Sequence, residues 1–142
     1  KVPLHALGYS MGGFYVTNII NKDPHIFEKI ILLNPVVDIL ALFSNKSLME
    51  KLWRNAENIL SLKTTEDYQE EMKLMIINLN PIEFAKKLKS NITIIQSTKD
   101  EVLEPKLARR FYNLLNGKKN YLEVLNKTHE LLGDEKELID SV

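Results

Sequence analysis

Cysteine is absent from the 142-residue chain, and glycine, at five residues, is scarce. Without cysteine there is no disulfide framework, no thiolate nucleophile and no cysteine-based zinc site. Neither sign of charge is in excess, since 19 Lys and Arg match 19 Asp and Glu. No long-range field therefore draws the chain to nucleic acid or to an anionic membrane surface. Apolar runs such as Ile30 to Leu33 and Ile39 to Phe43 fall far short of the roughly 20 residues a bilayer-spanning helix needs. That predicts no membrane span. No charged lead, long apolar region and small-residue cleavage site opens the sequence, so no signal peptide is expected, and the cytoplasm is the expected location. What is present, 44% hydrophobic and 27% charged residues, suffices for the core of one globular domain.

Val2, Leu4, Ala6 and Leu7 form a nearly continuous apolar run, as in a strand buried on both faces of a parallel sheet. It stops at Gly8-Tyr9-Ser10-Met11-Gly12-Gly13, after which Phe14, Val16, Ile19 and Ile20 recur at helical spacing until Asp23-Pro24. Further strands are expected at Ile30 to Leu33, closed by Asn34-Pro35, at Ile92 to Ile95, and at Tyr121 to Leu125. Leu107, Phe111, Leu114 and Leu115 mark an amphipathic helix that Asn116-Gly117 terminates. A last helix is expected over 135–142. Strands alternating with helices predict a three-layer α/β fold, a parallel sheet with helices on both faces.

The alternation breaks over 38–90, where only helices are expected, so this stretch reads as a helical insertion between two strands. Ser47 and Glu50 have the spacing of a capping box ahead of Leu48, Leu52, Trp53, Ala56, Ile59 and Leu60. Thr65 can cap a second helix carrying Tyr68, Met72, Met75, Ile76 and Leu79, and Asn80-Pro81-Ile82-Glu83 has the signals of a third start. The charged group Glu66, Asp67, Glu70 and Glu71 reads as a solvated helix face, since those offsets do not converge with a histidine. No metal and no cofactor is expected.

Gly8-Tyr9-Ser10-Met11-Gly12 fits G-x-S-x-G between a strand and a helix. A serine at such a turn is forced into a strained backbone that holds Oγ outward, and residues flanking it must lack bulk for strand and helix to approach. Gly8 and Gly12, two residues before and two after the serine, are expected to meet that need, and Gly13 completes the elbow. The Met11 amide then stands at a helix N-terminus, where it can donate to a developing oxyanion.

A serine hydroxyl is a poor nucleophile without a base, and the base needs a partner that fixes its tautomer. Of three histidines, His129 follows the fourth strand, at the sheet edge where loops from the carboxyl ends of parallel strands gather. His5 lies within the first strand and His25 after the first helix, so both read as structural. For the acid, Asp100 follows the third strand; Asp38, after the second strand, and Glu101 are the alternatives. Taken alone, Asp100 would read as a loop carboxylate capping the helix that follows.

Together the elbow, the helical insertion, the Ser97 to Leu103 segment and the Thr128-His129 loop resemble the C-terminal part of an α/β-hydrolase. The resemblance is nearest to serine esterases and monoacylglycerol-lipase-like members with a helical cap, and it covers the whole chain. It implies Ser10 as nucleophile, His129 as general base, Asp100 as orienting acid and the Met11 amide as one oxyanion donor. It also implies a small-molecule carboxylic ester as substrate, with an apolar acyl group lying against the cap. Family members carry further strands and a second oxyanion donor before the elbow, so the strand at 2–7 is expected to be an apolar edge. Either such a segment or a second copy of the chain could pair with it. A peptidase or thioesterase on the same fold, and a non-catalytic association module, are the competing functions.

Overall fold

The computed structural model describes residues 2–56 and 77–130, together with 64, 66, 67, 70 and 73. Four parallel strands lie in the order of the chain: β1 (His5–Tyr9), β2 (Lys29–Leu33), β3 (Ile92–Ser97) and β4 (Lys119–Val124). Ala6, Ile30 and Ile92 are paired across the sheet, as are Gly8, Leu32 and Ile94. In the two central strands the isoleucines and leucines of these rows are almost wholly buried. Their uninterrupted apolar sequence follows from having cover on more than one side. Edge strand β1 differs: Leu7 is 63% exposed and Leu4, just before the strand, 59%, so the apolar edge foreseen at 2–7 is present, and the strand is not buried on both faces.

Helix α1 (Met11–Lys22) connects β1 to β2, and α2 (Ile39–Phe43) and α3 (Lys46–Ala56) follow β2. A short α4 (Pro81–Phe84) runs into a 3-10 turn (Ala85–Lys87) before β3, and α5 (Pro105–Leu114) leads into β4. Ile20 of α1, Ile82 and Phe84 of α4, and Ala108 and Phe111 of α5 pack with Ile30, Leu32, Ile92 and Ile94 in one core. Residues 81–88, which the sequence assigned to the insertion, thus close the sheet's own core; the Ile82 amide also donates to the Val37 carbonyl at 2.9 Å. A second cluster, with Phe14, Val36, Ile39, Leu42, Phe43, Met49 and Leu103, lies where α1, α2 and α3 meet. The helix foreseen at 135–142 lies outside the described residues, as do the side chain of Trp53 and most of the helix foreseen from Thr65.

The capping of two helix starts differs from expectation. Asn45 Oδ1, not Ser47, accepts from the Leu48 amide at 3.2 Å, so α3 begins two residues early and the Ser47–Glu50 box is unused. Asparagine caps at least as well as serine. Thr65, the cap expected for the second helix of this stretch, lies outside the described residues. Asn80 precedes α4 without capping it, because its Oδ1 accepts from the Ile39 amide at 3.0 Å instead.

Candidate active site

Ser10 joins β1 to α1 with φ 50° and ψ −118°, a left-handed φ that strains a residue with a Cβ. Three main-chain hydrogen bonds hold it there. Its amide donates to the Leu33 carbonyl at 3.0 Å, and its carbonyl accepts from the amides of Gly13 at 3.0 Å and Val36 at 2.9 Å. A serine preceding a helix usually turns its hydroxyl back to cap it; Ser10 makes no such bond, so Oγ is left to point elsewhere.

The glycines divide differently from expectation. A Cβ on Gly8 would meet the Gly12 carbonyl oxygen at 2.8 Å and Gly13 Cα at 2.9 Å, and a Cβ on Gly13 would meet Pro35 Cβ at 2.5 Å. A Cβ on Gly12 would meet nothing within 4 Å. The close approaches are those of helix to strand and of helix to the Asn34-Pro35 turn. Gly12 therefore completes the motif without being needed sterically.

His129, 119 residues away in sequence, places Nε2 2.9 Å from Ser10 Oγ, and its Nδ1 lies 2.8 Å from Asp100 Oδ2. Both His129 and Asp100 are only 7% exposed. Asp100 Oδ1 accepts from the amides of Val102 at 3.0 Å and Leu103 at 2.8 Å, and Oδ2 also accepts from Gln96 Nε2 at 3.2 Å. Burial is the largest influence on the Asp100 carboxyl and pushes it up. Hydrogen bonds from His129, Leu103 and Val102, together with the charge interaction with His129, outweigh burial and hold it below the ordinary carboxylate value. An ionised Asp100 can only accept, which places the proton on Nδ1 and leaves the Nε2 lone pair facing the serine hydroxyl.

The loops that carry these side chains are tied to each other. Thr98 and Lys99 amides donate to the carbonyls of Val124 and Lys127 at 3.0 Å each, and the Asn126 amide donates to Thr98 Oγ1 at 2.8 Å. Asn126 takes φ 61°, a conformation asparagine tolerates better than most residues, and so turns the chain after β4. The His129 amide donates to Glu101 Oε2 at 3.3 Å, and its carbonyl accepts from Tyr9 Oη at 3.0 Å and Asn34 Nδ2 at 2.7 Å.

The competing residues lie elsewhere. Asp38 Oδ1 caps α2 through the Ala41 amide at 3.2 Å and accepts from Asn80 Nδ2 at 3.2 Å. Glu101 reaches the His129 main chain, not its ring. His5 and His25 are exposed on β1 and in the turn after α1. The Met11 amide occupies the first position of α1, where no carbonyl within the helix can accept from it. Glu66, Asp67 and Glu70 are exposed, and Glu70 pairs with Lys73 at 2.8 Å. Among the described residues no three His, Cys, Asp or Glu side chains could hold a metal ion, and no helix is long and apolar enough to cross a membrane.

Sequence reasoning missed Tyr9, Asn34 and Gln96. For Gln96 there was a signal: a polar residue closing an isoleucine-rich strand, four residues before Asp100. For Asn34 the only signal was a strand-ending Asn-Pro, which reads as a turn.

A parallel sheet whose first strand turns sharply through Gly8-Tyr9-Ser10-Met11-Gly12 into a helix, with the acid and imidazole loops at the ends of later strands, is the α/β-hydrolase fold. Within it the chain belongs to the prolyl oligopeptidase family, whose profile matches residues 3–131. Among curated proteins none matches the chain significantly. Among solved structures it is similar to Rv0554 of Mycobacterium tuberculosis at 14% identity and a TM-score of 0.70, over 98% of this chain and 63% of that one. It is also similar to a monoacylglycerol lipase of Paleococcus ferrophilus, at 16% identity and a TM-score of 0.65, over 98% and 66% of the two chains. The esterase domain of a Rhodothermus marinus protein is similar at 14% identity and a TM-score of 0.66, over 96% and 57%. At these identities the likeness is one of fold, and the chain spans less than two thirds of each of these relatives.

Proposed function

We propose that this chain carries the nucleophile, base and acid of a serine hydrolase that cleaves carboxylic esters through an acyl-enzyme. The observation that carries the proposal is the unbroken path from Ser10 Oγ to His129 at 2.9 Å and on to Asp100 at 2.8 Å. His129 Nε2 takes the hydroxyl proton as Ser10 Oγ attacks the ester carbonyl, and the resulting oxyanion is met by the Met11 amide. Collapse of that intermediate expels the alcohol, which leaves with the proton from His129, and Ser10 remains acylated. Water then gives a proton to His129 while its oxygen attacks the acyl carbon. The acid departs, and the proton returns to Ser10. Asp100 stays ionised and stabilises the imidazolium at each stage.

Support for an acyl ester as substrate comes from the likeness in fold to a monoacylglycerol lipase and to an esterase domain. The family match favours a second reading, in which the same residues cleave a peptide bond and the amine leaves in place of the alcohol. A fluorophosphonate probe tests the shared chemistry. Ser10 should be labelled, and Ser10→Ala should not. A folded chain that takes no label overturns the hydrolase proposal and favours an association module. Comparing p-nitrophenyl esters of increasing acyl length with proline-containing peptide anilides then separates ester from peptide cleavage.

A further inference from the structure

Asn34 is fully buried, polar and held at φ 40°, and both polar atoms of its side chain have definite partners. Its Oδ1 accepts from the Ser97 amide at 2.7 Å, and its Nδ2 donates to Ser97 Oγ at 3.0 Å and to the His129 carbonyl at 2.7 Å. Its own amide donates to the Ile95 carbonyl at 2.9 Å. The residues around it hold the other half of the site: the Leu33 carbonyl and the Val36 amide are the partners of the Ser10 main chain. One four-residue segment, Leu33 to Val36, thus grips the peptide of Ser10 on one side and that of His129 on the other.

His129 sits in a loop with no regular secondary structure of its own, where an imidazole is free to drift unless its backbone is tied. A misplacement of about 1 Å can cost on the order of 100-fold in rate. Tyr9, the residue before Ser10, supplies a second donor to the same His129 carbonyl at 3.0 Å, and its ring lies 5.4 Å from the imidazole. Burial first, and then the carboxylates of Glu130, Asp100 and Glu101, push the Tyr9 hydroxyl up, so it keeps its proton and remains a donor.

We infer that Asn34 is a positioning residue for His129, setting the distance between Ser10 and the imidazole by clamping the His129 carbonyl, with Tyr9 as its partner on that same oxygen. The kinetic consequence rests on the hydrolase proposal above; the spectroscopic one does not. Asn34→Gly removes the clamp while tolerating the left-handed φ, and Tyr9→Phe removes the second donor without opening a cavity. Each should lower kcat for p-nitrophenyl acetate, by about tenfold for Asn34→Gly and less for Tyr9→Phe, with KM within about twofold. Because the two donors share one acceptor, the double variant should lose more than the product of the single losses. In parallel, the low-field proton resonance of His129 Nδ1–H, shared with Asp100, should shift or broaden in Asn34→Gly and more so in the double variant. Folded variants with wild-type kcat and an unchanged resonance overturn the inference. If Asn34→Gly does not fold, the Tyr9→Phe rate and resonance decide it by the same criteria. If the wild-type chain turns over no ester, the ester reading falls, and the resonance alone decides whether Asn34 positions the ring.

Discussion

Gly13 stands so close to Pro35 that a methyl group on it would come within 2.5 Å of the proline Cβ. The first turn of α1 is in this way pressed against the segment that holds the Ser10 backbone. Gly13→Ala is expected to destabilise the fold by about 1–3 kcal/mol, as overpacking does, and to slow labelling of Ser10. Gly8→Ala should do the same through the Gly12 carbonyl. Gly12→Ala meets open space and should be neutral or stabilising by up to about 1 kcal/mol, since alanine is the better helix former. Urea denaturation of the three variants ranks them; equal losses at Gly12 and Gly13 would contradict the packing described.

Asp100 and Asp38 are expected to separate by function. Asp100→Asn keeps an oxygen for the Val102 and Leu103 amides but can no longer fix the His129 tautomer, and kcat should fall by a factor on the order of 10⁴. Asp38→Ala removes a helix cap, with about 1 kcal/mol of stability lost and ester hydrolysis unchanged. Steady-state rates with melting curves check both, and an Asp38 variant without activity would reverse the assignment of the acid.

Acid should weaken the site in a defined direction. The folded-state pKa of Asp100 lies below its ordinary value, so its contribution to stability is fully present above about pH 4 and is lost as pH falls through the folded value. The stability difference between wild type and Asp100→Asn should therefore narrow on acidification below about pH 4. A difference that stays constant between neutral and strongly acidic solution would show that Asp100 carries no such linkage.

At the β1 edge of the sheet Leu7 and, just before the strand, Leu4 present exposed apolar side chains, and among the described residues no strand pairs with the outer side of β1. Such an edge recruits other strands. The 142-residue chain is expected to self-associate on its own, and Leu7→Lys to shift it toward monomer in sedimentation velocity. Identical sedimentation of the two would place the association surface elsewhere or exclude it.

Much of this architecture is legible along the chain. Ile30 to Leu33 and Ile92 to Ile95 announce central strands because both of their faces need cover, and Gly8 to Gly13 announces a strained strand-to-helix turn because few other sequences can make one. Asp100 and His129 follow from chain order once the elbow is recognised. The helix starts are less legible: Asn45 and Ser47 are equally good caps by residue type, and only the direction of the preceding chain selects one.

Local sterics and the period of apolar residues are properties of short stretches, and so the parallel strands, the elbow and the candidates for nucleophile, acid and base were determined by sequence alone. Which glycine is indispensable, that Asp38 caps a helix, and that Tyr9 and Asn34 converge on one carbonyl oxygen of His129 were decided only by tertiary structure. Those facts depend on distances between segments as many as 120 residues apart, and no local pattern encodes such a distance until the sheet has brought the strand ends together.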